Sequence, residues 1–227
     1  MKLELDGINN AGWTFTSARM LQLKYLFEFI NTKESTEYFN YKQLQSEVNN
    51  YYAELDGSRV RMFFPWLYYY GVLNDYEEIH TYNELFSELG KAFGIFLDIY
   101  IEVTSNSNQQ YSKEQIAQVN STFCSFINNF YYNLLNSEKS SIYKLVVKVL
   151  QELKYLTKEE FFVLTHSVKN KLDYNWIINT IEEMRLNSDN LEVKINNNQN
   201  AWGYIIPFLQ QAGIVYNEKN TIYLIEE

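Results

Sequence analysis

In the segment Asp56-Gly57-Ser58-Arg59-Val60-Arg61, an acid and a glycine are followed by a hydroxyl and two guanidinium groups. Those groups suit nucleic-acid reading. A recognition helix enters the major groove by its N-terminal residues, and Arg is the commonest reader of the guanine edge. Ser58 can cap the helix and touch a phosphate, while Arg59 and Arg61 can reach base edges or backbone. The plain alternative is a solvated helix start in which Arg61 pairs with Asp56 or Glu54. A second candidate is the amide run Asn196-Asn197-Asn198-Gln199-Asn200, just ahead of Ala201-Trp202. Asn and Gln make bidentate contacts to adenine. The first turn of a helix offers free N–H groups to phosphate, and Lys194 adds a charge there. The chain holds 26 asparagines, so an ordinary Asn-rich turn is the competing reading.

Catalytic patterns are harder to find. Asp173 followed by Glu192-Val193-Lys194 has the order of a PD-(D/E)XK nuclease core, in which two carboxylates hold Mg²⁺ and a lysine orients water. Asp173, however, is expected at a helix start and not on a strand, and Glu-x-Lys triplets are common. His80 and His166 lack the companions that a metal site needs. Cys124, in STFCSFINNF, is expected as a small buried hydrophobe. No Gly-rich phosphate loop, nucleophile elbow or HExxH is present. No catalytic residue, metal or cofactor is expected. The tyrosines at 68–70 and 131–132 are expected to pack in the fold and not to stack on bases.

Charge is distributed unevenly. The formal net charge is −9 and the pI about 4.9, which argues against a generic polyanion binder. Yet residues 139–171 carry seven lysines against Glu152, Glu159 and Glu160. Lys144, Lys148, Lys154 and Lys158 lie in that stretch and are expected on phosphates, because the first two helices of a helix-turn-helix cross the backbone. A single cysteine excludes an internal disulfide, and a cytoplasmic location is expected. The apolar run AFGIFLDIYIEV is too short and too charged to span a bilayer, so no membrane partner is expected.

The elements that position these residues show a duplication. Both prolines of the chain stand in matching segments, FPWLYYYGVL at 64–73 and IPFLQQAGIV at 206–215. Pro65/Pro207, Leu67/Leu209 and Gly71/Gly213 coincide. Each segment reads as an apolar helix stopped by a glycine that can adopt positive φ, then a short β-branched strand. Upstream, residues 21–29 resemble 145–153, and Asn40 with Gln43 and Thr157 with Glu160 form capping-box patterns. The second half closes on GIVYN, a polar turn and TIYLIEE, a β-hairpin signal. Three helices and a hairpin make the winged-helix form of the helix-turn-helix. Between the halves, 80–104 and 112–136 read as two long amphipathic helices separated by the polar break 105–110, with Ser112 and Gln115 capping the second. A further helix is expected over 172–186.

On the QEL helix end, YLTKEEF, Trp176, Ile177, Ile181, the aromatic helix, Ala-Gly-Ile-Val and the final hairpin, the second half resembles the DNA-recognition part of restriction endonucleases, particularly the AlwI-like and type IIS enzymes. That resemblance implies tandem winged-helix subdomains joined by a helical linker, with a nuclease domain elsewhere. The expectation is thus a mainly α protein with a first winged-helix subdomain over 1–79, a helical connector over 80–138 and a second winged-helix subdomain over 139–227. Its expected partner is double-stranded DNA, with a nuclease domain or partner protein alongside. The alternative is a winged-helix protein-interaction module, which the acidic central helices would suit.

Overall fold

Helix dominates, as the scarcity of Gly and Pro suggests, and the strands are short. Nine α-helices and five β-strands occur among the described residues. These are 2–9, 11–105 and 111–225 of a computed structural model. Apart from Ser105, the expected polar break at 105–110 lies outside the described residues. Among them, no helix is long and apolar enough to cross a membrane.

Packing divides the chain into two compact units, Phe15–Leu134 and Met1–Thr14 with Leu135–Glu227. The first unit contains α1 (Ser17–Asn31), α2 (Tyr41–Glu47), α3 (Gly57–Tyr69), α4 (Glu88–Ser105) and nearly all of α5 (Lys113–Leu135). Thus the two central helices pack with the first-half elements and do not stand apart as a connector. Residues make that packing possible. Gly94 lets α4 approach α1 so closely that a Cβ there would meet the Phe27 ring at 2.6 Å, and Lys24 of α1 pairs with Asp98 of α4 at 2.9 Å. Helix α4 also begins later than residue 80, because Thr81–Glu84 closes a capped 3₁₀ turn first. The core is aromatic. Phe15, Tyr70, Phe93 and Phe130 are within 3% of complete burial, and Phe15 and Tyr70 each stack on Phe130.

The second unit contains β1 (Lys2–Leu5), α6 (Ser140–Leu153), β2 (Tyr155–Thr157), α7 (Lys158–Asn170), α8 (Tyr174–Leu186), β3 (Glu192–Ile195), α9 (Ala201–Gln211), β4 (Val215–Glu218) and β5 (Thr221–Leu224). Strand β1 pairs in parallel with β3, which draws the first fourteen residues into this unit and away from the expected 1–79 subdomain. Strands β2, β5 and β4 form an antiparallel sheet in that order. Its inner face buries Leu156, Ile222 and Val215 against the helices. Thr157 and Glu160 complete a reciprocal capping box at α7. The Glu160 carboxylate, 3% exposed, also accepts from Arg185 Nε at 2.7 Å, so its buried charge is paired.

The duplication extends to backbone geometry. Tyr70 and Ala212 follow α3 and α9 at φ/ψ −79/−4° and −76/−4°, and Gly71 and Gly213 come next at φ 71° and 72°. Val72 N–H donates to the Leu67 carbonyl at 2.8 Å, and Ile214 N–H to the Leu209 carbonyl at 2.9 Å. Each is the closing bond of a Schellman motif. Both prolines lie well inside their helices, not at the first turn. Each frees the carbonyl four residues back, on Arg61 and Gly203, which are exposed, so water can satisfy it. In the first unit the hairpin is reduced to two bridges, Leu73 with Phe86 and Tyr38 with Thr81. Tyr38-Phe39-Asn40 stands there where the second unit has Tyr155-Leu156-Thr157.

Candidate nucleic-acid interface

In the first unit, α2 and the start of α3 form an open corner. Asn40 Oδ1 caps α2 by accepting from Gln43 N–H at 3.0 Å. Asp56, and not Ser58, caps α3: its Oδ1 accepts from Arg59 N–H at 2.9 Å and from the Ser58 hydroxyl at 2.5 Å. Those bonds, the Ser58 hydroxyl first, hold the Asp56 carboxyl below its ordinary range. Gly57 is required where the helices meet, because a Cβ there would lie 2.7 Å from the Gln45 carbonyl oxygen. The resulting cleft, about 460 Å³, is lined by Lys42, Gln45, Ser46, Asn49, Ser58 and Arg61 among others.

Arg59 and Arg61 are both exposed, and neither guanidinium takes a hydrogen bond or ion pair among the described residues. The pairing of Arg61 with Asp56 or Glu54, weighed above, is not formed. Exposed residues follow the same stripe along α3, from Arg61 past Pro65 to Tyr68, while Val60, Phe63, Phe64, Trp66 and Leu67 are buried. Lys42 and Asn49 complete the corner and were not singled out from sequence. The legible signal was the Asn40 cap two residues before Lys42, which puts that lysine in the first turn of a helix.

The second unit treats its candidates differently. Lys144 is exposed and Lys158 half-buried, and neither forms an ion pair among the described residues. Lys148 sits 3.5 Å from the centroid of the Tyr174 ring. Desolvation and a hydrogen bond to Glu152 push the Tyr174 phenol up to about 12. Lys154 ends α6 at φ 71° and donates to the Gln151 carbonyl.

The amide run is largely occupied by its own chain. Asn197 Nδ2 donates to Asp6 Oδ1 at 2.7 Å, Asn198 Nδ2 to the Gly7 carbonyl at 3.3 Å and Gln199 Nε2 to the Ile195 carbonyl at 2.7 Å. Lys194 pairs with Glu4 at 3.6 Å. Asn200 precedes α9 without a side-chain cap bond. The N-terminal segment thus engages Asn197 and Asn198, while Asn196, Asn197, Gln199 and Asn200 remain exposed.

The remaining candidates also find structural roles. Asp173 caps α8, its Oδ1 accepting from Trp176 N–H at 2.8 Å. Glu192 and Lys194 lie exposed on β3. No cluster of three or more His, Cys, Asp or Glu side chains able to hold a metal occurs among the described residues. Cys124 is exposed, against expectation. Phe123, Ile127, Phe130 and Leu134 form the inward stripe of α5, and one residue further turns the side chain by about 100°. Of the tyrosines expected to pack, Tyr70 and Tyr131 are buried, whereas Tyr68 and Tyr132 are 40% and 58% exposed.

Comparison with protein-family models, with characterised proteins and with solved structures finds no match to this chain.

Proposed function

We propose that this protein binds double-stranded DNA in a sequence-specific manner through two winged-helix subdomains, as the target-recognition part of a restriction-type endonuclease or a related defence or regulatory protein. In this reading α1, α2, α3 and the Leu73/Phe86 pairing make one subdomain. Helices α6, α7 and α9 with the β2-β5-β4 sheet make the other, and α8 and β3 are an insertion between its second and third helices. The observation that carries the reading is the N-terminal end of α3, where Arg59 and Arg61 stand exposed, neither guanidinium takes a hydrogen bond or ion pair among the described residues, and Arg61 lines the α2–α3 corner. A groove-reading helix uses that position. Lys42, Lys144 and Lys158 are suited to phosphates, which fix register without reading sequence.

Replacing Arg59 and Arg61 together by Ala tests this. A well-formed bidentate Arg contact discriminates by about 1–3 kcal/mol. Loss of both should therefore weaken binding to a duplex selected from a random pool by about tenfold or more, with the urea midpoint unchanged. Unaltered affinity would remove α3 from the interface.

A protein-interaction role is the second reading, favoured by Ile95 and Ile99, 69% and 49% exposed one turn apart on α4. Salt separates the two. Lysine–phosphate contacts make affinity fall steeply with ionic strength, about 0.9 in log–log slope for each phosphate neutralised. An apolar interface responds weakly.

A further inference from the structure

The second unit carries its own anionic occupant on the surface that sequence assigned to DNA. Glu4 and Asp6 are two residues apart along β1 and its continuation, an alternation that places both on the same side, about 7 Å apart along the backbone. Glu4 accepts from Asn196 Nδ2 at 3.2 Å and pairs with Lys194 at 3.6 Å. Asp6 accepts from Asn197 Nδ2 at 2.7 Å and pairs with Lys169 at 3.1 Å. Each carboxylate thus takes one amide and one ammonium, the donor pair that two successive phosphates of a nucleic-acid strand would take. Both are held below their ordinary carboxylate range, by the Asn196 and Asn197 amides first and the lysines after.

We infer that the N-terminal acidic strand is an autoinhibitory strap, which holds Lys169, Lys194, Asn196 and Asn197 away from the DNA backbone. This inference rests on the DNA-binding reading above. The strap is also part of the fold. Leu5 is fully buried, Gly7 N–H donates to the Asn197 carbonyl, and a Cβ on Gly7 would lie 2.1 Å from the Asn198 carbonyl oxygen. Release therefore depends on charge and not on wholesale removal of the strand.

The test neutralises the two carboxylates while keeping an oxygen acceptor at each. In the full chain, Glu4→Gln/Asp6→Asn is compared with wild type and with Glu34→Gln/Glu114→Gln, which changes net charge equally at exposed positions in the other unit. Binding of a fluorescent duplex is followed by anisotropy across a salt series. The strap variant should bind about threefold tighter or more at low salt, and its log–log salt slope should steepen by about 1.8, or 0.9 for each lysine released. Should the double variant fail to fold, Glu4→Gln alone, at a half-exposed side chain, should steepen the slope by about 0.9. A strap variant no different from the charge control, in a protein that still loses affinity on Arg59→Ala/Arg61→Ala, overturns the strap and leaves the DNA reading standing. Absence of duplex binding in wild type and every variant overturns the DNA reading, and the strap with it.

Discussion

Residue by residue, the informative side chains are those whose partners lie far away in the sequence. His166 Nδ1 accepts from the Asp6 N–H at 3.2 Å, which requires a neutral imidazole. Desolvation lowers its pKa from the ordinary 6.5, Lys169 lowers it further, and Asp6 opposes them; the Trp176 ring packs alongside. The unfolded chain therefore binds more protons than the folded one between the depressed pKa and 6.5. The His166 contribution is complete above about 6.5 and is lost as pH falls through that window. Asp6, whose pKa is also lowered, loses its contribution only below the ordinary carboxylate pKa. Urea midpoints should thus decline between pH 7.5 and 5.5 in wild type, and decline less in His166→Asn, which keeps an acceptor but does not titrate. A second test concerns Arg185. Arg185→Ala leaves the buried Glu160 carboxylate without its cation and should cost about 3–5 kcal/mol in equilibrium unfolding.

At the level of elements, the paired Schellman turns provide an internal control. Gly71 and Gly213 share a positive φ within one degree, so the backbone cost of Ala should be similar, about 1–2 kcal/mol. Their surroundings differ. A Cβ at Gly71 would lie 2.5 Å from the Asn133 amide, whereas nothing lies within 4 Å of one at Gly213. Gly71→Ala should therefore destabilise more than Gly213→Ala, and comparing the two by thermal unfolding separates conformation from packing. The shared helix, cap and glycine pattern was legible because its physics is local. The weakness of the first hairpin was legible as well, from the acidic residues after Asn74, but its Leu73/Phe86 pairing, which spans a capped 3₁₀ turn, was not.

For the whole molecule, the main finding is that the second unit is discontinuous, with residues 15–134 inserted between its first strand and its remaining elements. Leu5 is fully buried in that unit although its strand partner Ile195 is 190 residues away. Leu5→Ala should cost about 2–5 kcal/mol, measured by urea unfolding, as large as a substitution in the middle of a helical core. An N-terminal residue in a frayed tail would cost nothing.

Local chemistry determined the helical character of the chain, its capped helix starts, the glycine stops and the matched proline segments, because caps, periodicity and positive φ act over a few residues. It also marked Arg59 and Arg61, which lie exposed in the first turns of α3. Tertiary structure alone decided that α4 and α5 join the first unit, that Cys124 faces out and that the amide run hydrogen-bonds the N-terminal segment. Each of those depends on which distant segment arrives at a surface. A strand pairing across 190 residues of sequence, or a helix rotated by one position, leaves no local periodicity or turn signal to announce it.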